Sequence, residues 1–190
     1  MNASHRSGES PLRVAIREFG RSPGSTRSIQ QTIPAPGDLG SGMIAVQEGS
    51  PVDLDLSLEA VHEGIFVSGA ARVHGTGECS RCLDPLERDF DIDIQEMFFF
   101  EAPEPVRARG GDEEADDEQR LIEDEMIDLD PALRDAVVTA LPFQPVCRDD
   151  CPGLCSECGV HLADHPGHHH EAVDPRWDAL RGFTEDPEQK

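Results

Sequence analysis

The stretch Cys147-Arg-Asp-Asp-Cys151-Pro-Gly-Leu-Cys155-Ser-Glu-Cys158 contains four of the six cysteines in the chain. The other two form a second close pair far upstream, Cys79-Ser-Arg-Cys82. Two thiolates at C-x2-C or C-x3-C spacing can bind one tetrahedral zinc ion from a single turn of backbone, at Zn–S distances of about 2.3 Å. In a reducing cytosol such pairs indicate metal ligands more than disulfides. The sequence therefore predicts a fold that is held together by zinc.

Six thiols cannot fill two tetrahedral sites, but His165-Pro-Gly-His168-His169-His170 follows the second cluster closely. Two histidines and six cysteines supply four ligands to each of two zinc ions. The partition that we favour has two ligand sets: Cys79, Cys82, Cys147 and Cys151 in the first, and Cys155, Cys158, His168 and His170 in the second. The competing partition joins Cys79 and Cys82 to Cys155 and Cys158, and leaves Cys147 and Cys151 unused. Spacing alone does not choose between the partitions, so we expect one zinc ion and allow a second.

The composition restricts the class of partner. Among 190 residues, 39 are acidic and 16 are basic, which gives a formal net charge of −23. Such a chain repels a phosphate backbone, so free nucleic acid is not an expected ligand. The sequence has no apolar run of membrane-spanning length, and residues 1–10 are polar with no signal-peptide core, which predicts a cytoplasmic protein that does not bind membranes.

Alternating apolar and polar residues predict an antiparallel β-meander. Apolar side chains recur at every second position in 52–58, and after Glu63-Gly64 the alternation resumes, which favours a hairpin over 52–75. A third strand is predicted over 86–100, so that the first cysteine pair lies at the turn before it. Leu12, Val14 and Ile16 indicate a short strand, whereas 34–42 is so rich in Pro and Gly that we expect a loop there.

These signals predict an α+β fold: an antiparallel β-meander or partial barrel with a few helices and a C-terminal zinc-knuckle segment. Asp130-Pro131 predicts an N-cap with proline at the first helical position. A second Asp-Pro pair, at Asp174, predicts another helix near 175–182. The expected organisation is a disordered N-terminus (1–10), a β-rich domain (11–146) with an acidic loop (101–120) and a helix (131–141), and a zinc-binding Cys/His tail (147–190).

Several motifs in a fixed order resemble a known family. They are Gly-Glu-Cys79-Ser-Arg-Cys82-Leu-Asp-Pro, the acidic loop, the Asp-Pro helix, Leu-Pro-Phe-Gln-Pro, Cys-x3-Cys-Pro-Gly-Leu-Cys-x2-Cys-Gly and Asp-Pro-Arg-Trp. From about residue 12 to 183 the chain resembles the bacterial YceD family, the large ribosomal RNA subunit accumulation proteins, in its actinobacterial form. Many relatives end the second cluster with Cys-x-Cys, where this chain has His168 to His170. The departure supports a metal-binding role for these histidines.

The resemblance implies a cytosolic, non-enzymatic factor that is needed for accumulation of 23S ribosomal RNA, with a ribosomal protein or a pre-50S particle as its partner. Two alternatives stay open: a zinc- or redox-responsive regulatory protein, and a zinc-dependent hydrolase. A hydrolytic zinc keeps an open coordination position, whereas a thiolate-rich set closes it. We found no phosphate-binding loop or nucleophile motif, so we expect no small-molecule substrate.

The acidic composition suggests how such a factor would bind a basic ribosomal protein. We expect Asp53, Asp55 and Glu59 to lie on an exposed strand face and to form the complementary surface together with the acids of 112–118. Direct contact with ribosomal RNA would have to use Arg72, Arg81 and Arg88, and three arginines in an acidic field are weak evidence for it.

Overall fold

The computed structural model describes residues 10–17, 23–102 and 119–170. Segment 1–9, residues 103–118 of the predicted acidic loop and the predicted helix near 175–182 lie outside the described residues. Nine strands and one helix are described: β1 Arg13–Ala15, β2 Thr26–Pro34, β3 Leu39–Ser41, β4 Ile44–Val46, β5 Pro51–Ala60, β6 Gly64–Glu78, β7 Pro85–Phe99, β8 Arg120–Leu121, β9 Met126–Asp128 and α1 Asp130–Ala140.

A seven-stranded sheet forms the body of the protein. Strands β5, β6 and β7 are consecutive antiparallel neighbours, β2 pairs with β5, and β4 pairs with both β3 and β6. Strand β8 is parallel to the end of β7, and β1 and β9 form a separate two-stranded sheet. The predicted antiparallel sheet is thus confirmed.

The finer parts of the predicted fold class stay predictions. The pairings among the described residues form an open sheet, and they show no closed barrel. The described ranges contain one α-helix, and the second predicted helix, near 175–182, lies outside them. Within these ranges no helix has the length and apolar character that a membrane crossing requires.

The long strands form where apolar and polar residues alternate, because one face of the sheet is buried and the other is in water. The core-facing residues of β5, Val52 to Leu58, are at most 3% exposed, while Asp53 and Asp55 are exposed. Strand β7 repeats the pattern with buried Ile92 and Ile94. Burial of each such side chain contributes about 1.5–3 kcal/mol, so the register of the meander is strongly specified.

The prediction of a loop over 34–42 is partly wrong. Strand β2 ends at Pro34, and β3 follows within the Gly-rich sequence. Strand β2 pairs with β5 alone, and it buries only Ile33 fully. An edge strand with so little buried surface has no clear apolar alternation, and its neighbours in the sheet stabilise it instead.

Helix α1 begins differently from the prediction. Asp130 lies inside the first turn, and the N-cap position is occupied by Leu129, which makes no side-chain cap. The carboxylate of Asp128 accepts a hydrogen bond from the Asp130 N–H at 3.0 Å and supplies the missing acceptor. The helix packs on the sheet through buried Leu133 and Val137.

Gly69 provides a test of the sheet packing. It has φ +149°, and a Cβ at this position would overlap the backbone carbonyl of Asp55 on the neighbouring strand. We predict that Gly69→Ala lowers the free energy of unfolding by about 2 to 4 kcal/mol, because backbone strain and overpacking add. Urea unfolding of the reduced protein measures this. The control is Gly42→Ala, whose Cβ meets no atom within 4 Å; equal stability of the two variants would contradict the packing described here.

Candidate metal centres

The first cysteine pair lies on the turn between the two longest strands. The ladder between β6 and β7 continues to Glu78 opposite Pro85, so residues 79–84 must reverse the chain. The Cys79 N–H donates to the carbonyl of Asp84 at 2.8 Å, and the Leu83 N–H donates to the carbonyl of Cys79 at 2.9 Å. These two bonds hold both thiols on the same side of a tight turn.

Cys155 and Cys158 lie on a second turn with the same hydrogen-bond pattern. The Cys155 N–H donates to the carbonyl of Val160 at 2.9 Å, and the Gly159 N–H donates to the carbonyl of Cys155 at 2.8 Å. In both turns the residue after the second cysteine has positive φ, 63° at Leu83 and 72° at Gly159. The glycine is visible in the sequence, whereas nothing in the sequence marks Leu83 as left-handed. The two pairs therefore form two copies of one metal knuckle.

Four cysteines converge to form the first cluster. The Sγ atoms of Cys79, Cys82, Cys147 and Cys151 all lie within 4.8 Å of one another. Cys79 and Cys151 are 3.9 Å apart, and Cys82 and Cys147 are 3.8 Å apart. A disulfide requires about 2.05 Å, whereas sulfurs on a tetrahedral zinc ion with bonds of about 2.3 Å are separated by about 3.8 Å. The spacing fits a bound ion and excludes disulfides, and all six cysteines are free thiols.

Backbone and side-chain contacts attach the C-terminal segment to the first knuckle. The Arg81 guanidinium donates to the carbonyls of Asp149 at 3.2 Å and Cys151 at 3.0 Å. The Ser80 N–H donates to the carbonyl of Pro145, and the Leu154 N–H donates to the carbonyl of Arg81. Cys79, Cys82 and Cys151 are at most 6% exposed, so three of the four thiols lie in a dry site.

Crowding separates the pKa values of these thiols. Burial raises the pKa of Cys79, but backbone N–H groups of Cys82, Arg81 and Cys147 outweigh it and lower that pKa to about 6. At Cys82 the Asp84 N–H lowers the pKa, while burial and hydrogen bonds with neighbouring side chains raise it and prevail. The pKa of Cys147 is raised, first by its contact with Cys151. Four sulfurs this close cannot all ionise by themselves, but a divalent cation can replace their protons.

The second cluster combines two thiols and two imidazoles. Cys155, Cys158, His168 and His170 each present a ligand atom within 4.8 Å of the others. The Nε2 atoms of His168 and His170 lie 3.3 and 3.2 Å from the Cys158 Sγ, and 2.9 Å from each other. The backbone N–H groups of Cys158 and Glu157 lower the pKa of Cys155 to about 6, against the effect of burial. The four atoms therefore lie close enough together to share one metal ion.

Glu157 has a role in the second cluster that the sequence did not reveal. Its Oε2 lies 3.4 Å from Nδ1 of His170, the ring nitrogen that faces away from the cluster. A carboxylate in this position orients a ligating histidine and makes it more basic. The second cluster differs from the first in exposure, because Cys158 and His170 are open to solvent.

The two clusters have the membership of the partition that we favoured. In the competing partition Cys79 and Cys82 would meet Cys155 and Cys158, and the structure does not bring these pairs together in one cluster. Both clusters could hold metal ions; the assignment of the eight residues as zinc ligands stays a prediction.

The three arginines considered for direct contact with ribosomal RNA have partners within the chain. Arg72 Nε lies 2.7 Å from Asp91 Oδ1, and Arg88 donates to the carbonyl of Val146 at 3.3 Å. Arg81 holds the first cluster, as described above. These contacts weaken the case for an RNA-binding surface at the first knuckle.

Comparisons with known proteins identify the family of this chain. A family model described as "Large ribosomal RNA subunit accumulation protein YceD" matches residues 67–184, the part of the chain that contains both clusters. The chain belongs to the YceD family. The resemblance drawn from its motifs is thus confirmed.

Mycobacterial relatives of this YceD protein extend the match over most of the chain, in line with the actinobacterial form. An uncharacterized protein of Mycobacterium tuberculosis is 43% identical over 171 residues, which is 90% of this chain and 80% of the relative. An uncharacterized protein of Mycobacterium leprae is 36% identical over 90% of this chain and 76% of its own length. The Bacillus subtilis protein YlbN is 26% identical over 72 residues, 38% of this chain and 37% of its own. No solved structure matches the chain.

Metal analysis tests the two ligand sets separately. We predict about two zinc ions per purified chain, and about one in Cys79→Ser and in Cys155→Ser. Cys79→Ser should also unfold at much lower urea concentration, because structural zinc supplies binding free energy on the order of 10 kcal/mol to folding. Cys155→Ser should keep most of its stability, since the second cluster lies outside the sheet.

The matched control for both variants is Ser156→Ala, which changes an exposed, non-ligating residue of the second knuckle. It should keep both zinc ions. A reduced, metal-free wild-type chain that still unfolds cooperatively at the same urea concentration would contradict the structural role of zinc.

Proposed function

We propose that this YceD protein is a cytoplasmic, non-enzymatic factor of large ribosomal subunit biogenesis, needed for accumulation of 23S ribosomal RNA, and that zinc stabilises its fold. The observation that carries the proposal is the family match over residues 67–184. The matched region includes most of the β6–β7 hairpin, helix α1 and all eight candidate ligands. The family description concerns an accumulation protein and names no reaction.

The ligand sets support a structural metal over a catalytic one. Each cluster offers four donors, which would complete a tetrahedral shell around one ion and would leave no position for a reacting water. The first set consists of thiolates alone, which donate strongly and reduce the Lewis acidity of the metal. In the first centre zinc would join the β6–β7 turn to the segment after α1. These features favour an assembly factor over a zinc-dependent hydrolase.

The exposed face of the sheet supports a basic protein as the partner. Strand β5 presents Asp53, Asp55 and Glu59 there, as predicted, and β7 adds four further carboxylates from Glu87, Asp89, Asp91 and Asp93. The predicted contribution of 112–118 lies outside the described residues. A face with this charge attracts lysine- and arginine-rich ribosomal proteins and repels bare RNA. We therefore infer that the protein reaches the pre-50S particle through a ribosomal protein.

Complementation tests the role in ribosomal RNA accumulation. In a strain that lacks this gene, the ratio of 23S to 16S ribosomal RNA should fall, and the wild-type chain should restore it. Cys79→Ser should restore the ratio poorly, because its fold is destabilised, whereas Ser156→Ala should restore it fully. An unchanged ratio in the strain without the gene would overturn the proposed function.

Binding at different ionic strengths tests the partner class. The purified chain, immobilised and mixed with total proteins of the large subunit, should retain basic proteins at low salt and lose most of them near 0.5 M salt, where charges are screened beyond about 4 Å. The triple variant Asp53→Asn/Asp55→Asn/Glu59→Gln should retain several-fold less. Ser57→Ala, a change on the same strand that keeps every charge, is the control. Retention that does not change with salt concentration would count against an electrostatic interface.

A metal-responsive role is the second candidate function, and the exposure of the second cluster favours it. Cys158 and His170 are open to solvent, so a chelator or an oxidant can reach this set while the first set stays protected. If this role holds, removal of zinc from the second cluster alone will change retention of the basic proteins in the same binding experiment. Unchanged retention would exclude it.

A further inference from the structure

Strand β7 has a long free edge among the described residues. Along one side it pairs with β6 from Pro85 to Phe99. Along the other side its described partner is β8, which meets it only at Phe98 and Phe99. The backbone between the first knuckle and β8 therefore has no described strand against it. A free edge of this length is a template for another strand.

Two hydrogen bonds near the end of β7 establish which backbone groups point outwards. The carbonyl of Phe99 accepts from the Ile122 N–H on the β8 side, at 2.9 Å, and the Phe100 N–H donates to Glu63 on the β6 side, at 3.0 Å. The β6–β7 register is unbroken, so the N–H and C=O groups of successive β7 residues point alternately towards β6 and away from it. The N–H and C=O groups that face outwards are those of Glu87, Asp89, Asp91, Asp93 and Gln95.

A groove runs between this edge and helix α1. It has a volume of about 570 Å³ and is lined on one side by residues Asp91 to Glu96 of β7. On the helix side the lining is mostly small, with Ala132, Ala136 and Ala140. A further strand beside β7 would lie against these small side chains. Arg120 closes the end next to β8, because it pairs with Glu96 at 2.9 Å and with Asp135 at 2.6 Å.

We propose that β7 binds an extended, cationic segment of a partner protein by strand addition. The added strand would pair with the outward groups of residues 87–95, a length of about 30 Å. Its alternate side chains would meet two different surfaces. Those on the solvent face lie beside Asp91 and Asp93 and should be lysine or arginine. Those on the other face lie against the alanines of α1 and should be small and apolar.

The negative charge along the free edge of β7 indicates which kind of segment would bind there. The free edge carries four carboxylates between Glu87 and Asp93, all on the solvent face. The segment of this chain that follows β7 is itself rich in acids, and a strand with like charges opposite is destabilised. A basic segment gains both the ladder of backbone hydrogen bonds and ion pairs. The inference deepens the proposed function and rests on it only for the ribosomal origin of that segment.

A designed peptide tests strand addition with the zinc-loaded, full-length chain. The probe is a fluorescently labelled peptide of four Lys-Val repeats, and its control has the same sequence with N-methyl groups on every second backbone amide. We expect the unmodified peptide to bind at least tenfold more tightly by fluorescence anisotropy, because N-methylation removes the hydrogen bonds and keeps the charges. Equal affinity for the two peptides would overturn the proposal and leave only electrostatic attraction.

Two substitutions of Asp93 distinguish the contribution of its backbone N–H to peptide binding from that of its carboxylate. Asp93→Ala removes a carboxylate and keeps the outward N–H, whereas Asp93→Pro removes both and leaves the ladder to β6 intact. We expect a loss of affinity of a few-fold for Asp93→Ala and about tenfold more for Asp93→Pro. Equal losses would overturn strand addition.

A third variant, Ala136→Gln, fills the groove from the helix and leaves β7 unchanged. It should weaken binding at least fivefold, and unchanged binding would place the peptide elsewhere. Zinc content and the urea midpoint confirm that each variant is folded. Because purified components are used, a negative result here leaves the outcome of the ribosomal RNA complementation untouched.

Discussion

Four sulfur atoms held within 4.8 Å of one another are the constraint on which the rest of the structure depends. Two of them come from the turn between β6 and β7, and two from the segment after helix α1. Four thiolates this close would repel one another, so a divalent cation that replaces their protons would stabilise the arrangement. A metal at this point would convert contacts between residues 79–82 and 147–151 into a cross-link that a core without tyrosine or buried tryptophan among the described residues does not supply.

The same hairpin that carries the first knuckle also presents the acidic surface. Its register places apolar residues of β6 and β7 in the core and Asp89, Asp91 and Asp93 in water. A displaced register would bury these carboxylates, so the knuckle at one end of the hairpin and the charge along its face depend on the same pairing. The proposed metal site and the proposed partner surface thereby share one structural element, the β6–β7 hairpin.

The second cluster has a different physical character. It repeats the backbone turn of the first, with Gly159 in place of Leu83 as the left-handed residue, but two of its candidate ligands, Cys158 and His170, are exposed to solvent. Exposed ligands exchange protons and metal faster than buried ones, because solvent and competing chelators reach them directly. If both clusters bind metal, the first ion would be protected by burial, whereas the second would be open to chelators and oxidants.

Local patterns in the sequence were sufficient to predict the cysteine knuckles, the alternating strands β5 to β7, the helix that begins near Asp130 and the family. Each of these depends on residues close together in the chain. Only the folded chain revealed the strand at Leu39–Ser41, the left-handed Leu83, the pairing of Glu157 with His170 and the grouping of the candidate ligands into two clusters. The physical reason is that edge strands, orienting carboxylates and shared metal sites are stabilised by partners distant in sequence, and a local pattern contains no information about which distant groups meet.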